Sequence, residues 1–253
     1  MGTITFEKVS KTFSGRTEVR ALENISLSIA EGEFAALLGP SGCGKSTLLN
    51  LLAGFESASE GTLLFDGKRV TRPGPDRGVV FQEAALFPWL NVWQNVVFGP
   101  QVQGVPRAEY ESRAHKLLKL VGLEAFADAL PVQLSGGMRQ RVGIARVLAM
   151  SPRALLMDEP FGALDAQTRL SMQQLLLDVW QSLGTTVLFV THDIDEAILL
   201  SDRIYVMSAR PGRIMRTIPI ALARPRSIAS LTTPQFVAYK AAIMADMKVE
   251  AIS

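Results

Sequence analysis

Short apolar runs alternate with longer amphipathic segments along most of this chain. Thr3 to Val9 alternates about Ile4, Phe6 and Val9, and Leu22 to Ile29 alternates again, so each reads as a half-buried strand. These two look antiparallel and hairpin-linked, with Phe13 in a polar loop between them. Glu31-Gly32 then turns the chain into Phe34-Ala35-Ala36-Leu37-Leu38, an apolar run without alternation. Gly61 to Gly67 is a further strand ending at a turn. Further strands are read at Arg77 to Phe81 and Arg203 to Met207, and continuous or nearly continuous apolar ones at Ala154 to Met157 and Thr185 to Val190. Strands apolar on both faces belong to a parallel sheet covered on both sides. Helical periodicity occupies Arg107 to Val121, Ser135 to about Met150, Gln167 to Leu183 and Ile194 to Leu200.

The pattern predicts an α/β fold with a mostly parallel sheet, an antiparallel β portion and a mostly helical insert over roughly 83–150. Residues 1–220 read as one domain. The extension 221–253 holds Pro225 and Pro234 and then a short helical pattern. A hairpin is expected about Arg210-Pro211-Gly212. The segment from Glu83 to Phe98 is rich in apolar and aromatic residues and is interrupted by Pro88.

Composition narrows the partners. With 48% hydrophobic and 20% charged residues in 253, there is material for a large core. A net charge of +2 gives no electrostatic footprint for nucleic acid, and none is expected as a partner. One cysteine, Cys43, excludes an internal disulfide and suits a reducing compartment. The first residues lack the basic and apolar regions of a signal peptide. Gly2 is a poor myristoylation site because Phe6 stands where Ser or Thr is needed. No apolar run reaches 18 residues, so no membrane span is expected, although the mean hydropathy of +0.21 leaves room for a greasy docking surface.

The chemistry begins at Gly39-Pro40-Ser41-Gly42-Cys43-Gly44-Lys45-Ser46-Thr47, set between an apolar strand and the helical run Leu48 to Ala53. The glycines allow successive backbone N–H groups to turn inward around a polyphosphate, and the new helix adds its unpaired N–H groups and positive dipole end. Lys45 can reach the β- and γ-phosphates, and Ser46 can offer its hydroxyl to Mg²⁺. Within this loop the backbone N–H of Cys43 matters more than its thiol, which remains a candidate for oxidation or alkylation.

Asp158 and Glu159 follow an apolar strand, at the position where parallel sheets bind ligands. Asp158 can hold Mg²⁺, and Glu159 can orient or deprotonate an attacking water. His192, one of two histidines, also follows an apolar strand and can contact the γ-phosphate or that water. His115, within the Arg107 to Val121 helix, is given no role. Gln82 ends a strand and can coordinate Mg²⁺ or water through its amide oxygen. Phe13 can stack on an adenine ring. Ser135-Gly136-Gly137 at a helix start forms a second anion site.

Leu134-Ser135-Gly136-Gly137-Met138-Arg139-Gln140-Arg141, taken with these sites in this order, resembles the signature sequence of ATP-binding cassette (ABC) ATPases. The likeness runs from about residue 3 to residue 220. It differs from the commonest form in having Met138-Arg139 before Gln140. By resemblance, Gly39 to Thr47 is the Walker A loop, Leu155 to Glu159 Walker B, Gln82 the Q-loop residue, Ala163-Leu164-Asp165 the D-loop and His192 the switch histidine. Phe13 falls where the family has its adenine-stacking aromatic. The resemblance implies the ABC ATPase fold, a P-loop NTPase core with an antiparallel β subdomain and a helical lobe bearing the signature. It also implies ATP and Mg²⁺ as cofactors, and a second copy of the chain packed head to tail so that Ser135 to Gly137 faces the partner's ATP.

The surroundings of Gln82 and the stretch Val206 to Gly212 look most like the importer ATPases of the nitrate, sulfonate and taurine group. That likeness implies integral membrane permease subunits as partners, and indirectly an extracytoplasmic solute-binding protein. The chain would then sit at the cytoplasmic face of the inner membrane. The apolar run Leu86 to Val92 lies where such cassettes receive the permease. Other solutes, export, and soluble ABC proteins acting on DNA or the ribosome are the alternatives.

Overall fold

In the computed structural model, which describes residues 2–15 and 17–250, the alternating N-terminal strands pair as their pattern requires. Strand β1 (Ile4–Phe13) buries Ile4, Phe6 and Val9 and lies antiparallel to β2 (Val19–Ile29). Phe13 is the last residue of β1, paired with Val19, and not a loop residue as its polar neighbours suggested. Cross-strand pairing, invisible to local composition, extends the strand. Strand β3 (Phe34–Leu38) is buried throughout and leads into helix α1 (Lys45–Ala53). Strands β4 (Glu60–Phe65) and β5 (Lys68–Arg69) complete a four-stranded sheet of order β2-β1-β4-β5.

After β6 (Arg77–Val80) come three helices, α2 (Val92–Val102), α3 (Arg107–Leu120) and α4 (Gly136–Ala149). The Pro88 interruption ends at Asn91, which caps α2 by accepting from the Gln94 N–H while Gln94 accepts from the Asn91 N–H. The remaining elements are β7 (Ala154–Asp158), α5 (Ala166–Leu183), β8 (Thr186–Thr191), α6 (Ile194–Leu200), β9 (Arg203–Met207), β10 (Ile214–Pro219) and α7 (Pro234–Glu250). The tail helix has 17 residues, longer than its short pattern suggested, because Phe236 and Ile243 are buried against the main core. Among the described residues no helix is long and apolar enough to cross a membrane.

The second sheet has six strands in the order β10-β9-β3-β8-β7-β6. Five run parallel, and β10 is an antiparallel edge strand. Alternate residues of its central strands feed two separate cores. Phe34, Ala36, Leu155, Met157, Val187 and Phe189 join the core that includes α2–α7. Ala35, Leu37, Leu156, Leu188 and Val190 join the core shared with α1 and the antiparallel sheet. This two-faced burial is why those strands carry no polar alternation. Register then sets the site. Leu38 pairs with Thr191, and Asp158 pairs with Val190, so β3, β7 and β8 end at one level and release Gly39, Glu159 and His192 together.

Candidate active site

The loop from Gly39 to Gly44 bends back over the start of α1. Gly44 has a φ of 102°, and a Cβ there would stand 2.7 Å from Leu22 Cδ2 and 3.0 Å from the Ala21 carbonyl oxygen. Both the conformation and the close approach demand glycine. Gly44 also occupies the N-cap of α1 and supplies no side-chain cap, so the first turn is capped by no side chain. Lys45 is buried, and its Nζ donates to the carbonyls of Gly39 at 2.8 Å and Pro40 at 3.0 Å. The loop therefore holds the ammonium in place within its own curve. Cys43 is fully buried, with its Sγ 3.9 Å from the Lys45 Nζ.

Ser46 Oγ donates to Asp158 Oδ1 at 3.0 Å, joining the start of α1 to the end of β7. Burial pushes the Asp158 carboxyl up, and repulsion from Glu159 adds to this, while the Ser46 hydroxyl and the Lys45 charge pull it down. A half-buried carboxylate beside a hydroxyl is a set of hard oxygen donors suited to Mg²⁺, which keeps most of its shell as water and phosphate oxygens. Ser46 and Asp158 fit that ion.

Glu159 occupies the left-handed region at φ 43°, a conformation that costs a non-glycine residue roughly 1–3 kcal/mol. Its N–H donates to the Val190 carbonyl at 3.0 Å, which holds the strained turn against β8. Its carboxylate spans two basic groups, with Oε1 4.0 Å from Lys45 Nζ and Oε2 3.0 Å from His192 Nδ1. His192 is in turn fixed by the turn beneath it. Thr191 Oγ1 donates to the buried Glu196 at 2.6 Å and accepts from the Asp193 N–H at 3.0 Å. Burial pushes the Glu196 carboxyl up.

A cavity of about 340 Å³ lies in front of these groups, lined by Phe13, Ser41, Lys45, Ser46, Glu159 and Arg210 among others. Phe13 thus reaches the phosphate loop from the other sheet. Sequence reasoning missed Arg210, whose Nη2 donates to the Gly42 carbonyl at 3.3 Å. Its hairpin is clamped there by Gly212, where a Cβ would stand 2.1 Å from the Cys43 carbonyl oxygen. The Arg-Pro-Gly tip was the available signal. Glu196 was also missed.

Gln82 is not among the residues lining that cavity. It lines a second one, of about 450 Å³, together with Gly136, Arg139, Pro160 and Leu164. Ser135 caps α4 by accepting from the Met138 N–H at 3.2 Å, and a Cβ on Gly137 would collide with Thr168 Cγ2 at 2.6 Å. The two cavities share no lining residue, so in the single chain Gly136 and the loop residues Ser41 and Gly44 to Thr47 line separate spaces. His115 packs its ring 4.5 Å from that of Trp93, away from the site.

Comparison with known proteins agrees with this arrangement. The family model described as ABC transporter matches residues 22–162. The chain is 49% identical over 225 residues to the taurine import ATP-binding protein TauB of Pseudomonas aeruginosa, covering 88% of this chain and 86% of that protein. It is 52% identical over 215 residues to the nitrate import ATP-binding protein NrtD of a Synechocystis species, covering 85% and 81%. A dimeric post-hydrolysis structure of an ATP-binding cassette with ADP and Pi bound superposes with a TM-score of 0.74 at 36% identity, over 87% of this chain and 100% of that one. With a phosphate loop, two carboxylates and a histidine converging at the ends of β3, β7 and β8, this chain belongs to the ABC transporter family as an ATP-hydrolysing cassette.

Proposed function

We propose that two copies of this chain close head to tail on two ATP molecules and use their hydrolysis to drive a separate membrane permease. The observation that carries the chemistry is Glu159, held in a strained turn between Lys45 and His192 beside the phosphate loop. In this reading the backbone N–H groups of Gly39, Pro40's neighbour Ser41, Gly42, Cys43, Gly44 and the start of α1 cradle the phosphates. Lys45 exchanges its loop carbonyls for the β- and γ-phosphates, and Phe13 stacks on adenine. Ser46 and Asp158 hold Mg²⁺, which supplies charge neutralisation on the phosphate oxygens. Glu159 orients the attacking water and accepts its proton, while His192 steadies the Glu159 carboxylate and faces the γ-phosphate side. Gln82, one cavity away, joins this set as the closed state forms.

Ser135, Gly136 and Gly137 then contact the partner's ATP. The separation of the two cavities in a single chain supports that composite site. A Ser135→Arg chain is expected to bind ATP, fail to dimerise around it and lose turnover by about 10²-fold, the effect of removing one transition-state donor. Because Ser135 also caps α4, Ser135→Asp serves as its companion: it keeps the cap and brings a negative charge to the partner's phosphates. Normal ATP-dependent dimerisation of both variants in gel filtration would refute the composite site.

The coupling surface we propose is the aromatic patch beside Gln82. Trp89 is 72% exposed, and Phe87 packs 5.6 Å from Trp89 and 4.7 Å from Phe98. Phe81, the residue before Gln82, is also exposed and stacks 6.3 Å from the exposed Phe55. Such a patch marks an interaction site. Trp89→Ala is expected to leave the isolated chain's ATPase unchanged and to weaken permease binding by about 30-fold, as truncating an aromatic hot spot does. Unimpaired co-purification with the permease would remove the patch from the dock. By likeness to the taurine and nitrate importers, the solute is a small polar molecule bearing an oxyanion group (a sulfonate, taurine or nitrate), delivered by an extracytoplasmic binding protein. The chain itself works at the cytoplasmic face of the inner membrane, with residues 1–220 as one ATPase domain, 83–150 as its helical lobe and 221–253 as an extension.

A further inference from the structure

A cavity of about 710 Å³ opens beside β5, lined by no residue of the phosphate-loop cavity or of the one that holds Gln82. Five cationic side chains line it: Lys68, Arg69, Arg72, Arg77 and Arg153. Two acids, Asp66 and Asp76, stand against them. Asp66 is committed to Arg153 at 2.6 Å, and Asp76 lies 3.7 Å from Arg77 Nε. The lining therefore carries three more positive than negative charges, although the whole chain carries only +2. A local excess of this kind in a concave surface concentrates anions.

Arg77 distinguishes the cavity from a merely basic surface. Its side chain is 8% exposed, its Nη2 donates to the Arg72 carbonyl at 2.8 Å, and its buried Nε has no hydrogen-bond partner. A buried guanidinium whose Nε makes no hydrogen bond to the Asp76 carboxylate 3.7 Å away is incompletely compensated, and the cavity beside it favours an oxyanion. Gly74 lets the loop pack closely on the Asp76–Arg77 pair, since a Cβ there would stand 2.4 Å from Asp76 Oδ1 and 3.0 Å from Arg77 Nη2. The loop of residues 71–76 is thus shaped around the guanidinium, with Arg69 and Arg72 exposed at the rim.

We propose that this cavity is a second anion site, separate from the ATP site, that binds a phosphate-type oxyanion of two or three charges. The guanidinium groups match phosphate geometry, and the excess of three charges matches such a ligand better than a monovalent anion. The anion can come free in solution or on a lipid headgroup, and the two sources are separable by experiment.

The test uses the full chain with Lys45→Ala, which disables the phosphate loop, so that pyrophosphate binding there does not mask the cavity. Calorimetric titration with inorganic pyrophosphate in low salt should show one remaining site. Adding Arg69→Glu and Arg72→Glu, both exposed and remote from the ATP site, should weaken it at least tenfold with an unchanged thermal midpoint. Without Lys45→Ala, the same pair should leave basal ATPase intact. Arg77→Gln should also abolish binding, but it is read only if its thermal midpoint is retained. Pyrophosphate binding without capture by phosphatidic acid vesicles would identify a free ligand. Capture by those vesicles, lost in the charge-reversed pair, would identify a headgroup. No binding to either probe, or binding indifferent to the reversed charges, would overturn the proposal.

Discussion

A Glu159→Gln chain should bind ATP at least as tightly as the parent and turn it over about 10²–10³-fold more slowly, within the range that positioned general bases contribute. The substitution is nearly isosteric, so the left-handed turn and the Glu159 N–H bond to Val190 should survive. What changes is charge and proton affinity. The carboxylate lies 4.0 Å from Lys45 Nζ and 3.0 Å from His192 Nδ1, so it competes with the phosphates for the same positive groups. Removing one negative charge there favours the triphosphate, while the amide cannot take a proton from water. The closed dimer should then accumulate with ATP and Mg²⁺ and persist for many parental turnover times. Single-turnover assays and gel filtration with ATP report both halves of the expectation. A variant that hydrolyses ATP at the parental rate would place the base elsewhere, with His192 as the next group to change.

The legible part of this site was the part written in contiguous residues. Gly39 to Thr47, Asp158-Glu159 and His192 each follow an apolar strand, and apolar strands without alternation announce a buried parallel sheet. Their convergence follows from register, because pairing Leu38 with Thr191 and Val190 with Asp158 leaves little choice about where the next residues lie. Groups positioned by distant pairing were harder to read. Phe13 looked like a loop residue until β2 paired with it, and Arg210 joins the cavity only because Gly212 lets a hairpin touch the phosphate loop. Gln82 shows the opposite limit. Its strand-end position suggested the metal or its water, and the side chain, two residues beyond a short strand, lines a neighbouring cavity in the single chain. The length of α7 escaped local reading for a similar reason: Phe236 and Ile243 are apolar contacts whose partners lie on other elements.

Arg226 is where a long-range contact of this kind should have the largest effect on stability. It is 2% exposed in the segment after β10, and its guanidinium serves five backbone carbonyls. Nη1 donates to Ile198 at 3.0 Å, Leu199 at 3.4 Å and Ser201 at 2.6 Å, and Nη2 donates to Ile220 and Leu222, both at 3.1 Å. The first three acceptors are the open carbonyls at the end of α6, where a cation also meets the negative end of the helix dipole. Burial lowers the Arg226 pKa to about 10, so the group remains charged at neutral pH. That depression means the carbonyls do not fully offset desolvation, yet removing the guanidinium is a different operation from never having buried it. Arg226→Met keeps the bulk and leaves five carbonyls without their donor, and breaking a buried charged network of this kind costs roughly 3–5 kcal/mol. In a chain of this length that corresponds to a fall of about 10 °C in Tm. Arg226→Lys should recover part of the loss, since an ammonium has three donors but cannot span both groups of carbonyls. The pH dependence is also fixed. A base whose folded pKa is depressed is charged in both states well below that value, so the deficit should be flat from about pH 6 to about pH 9. Urea denaturation across this range checks the loss and its flatness, and a parental midpoint for Arg226→Met would show that α6 and the tail are held by apolar packing alone.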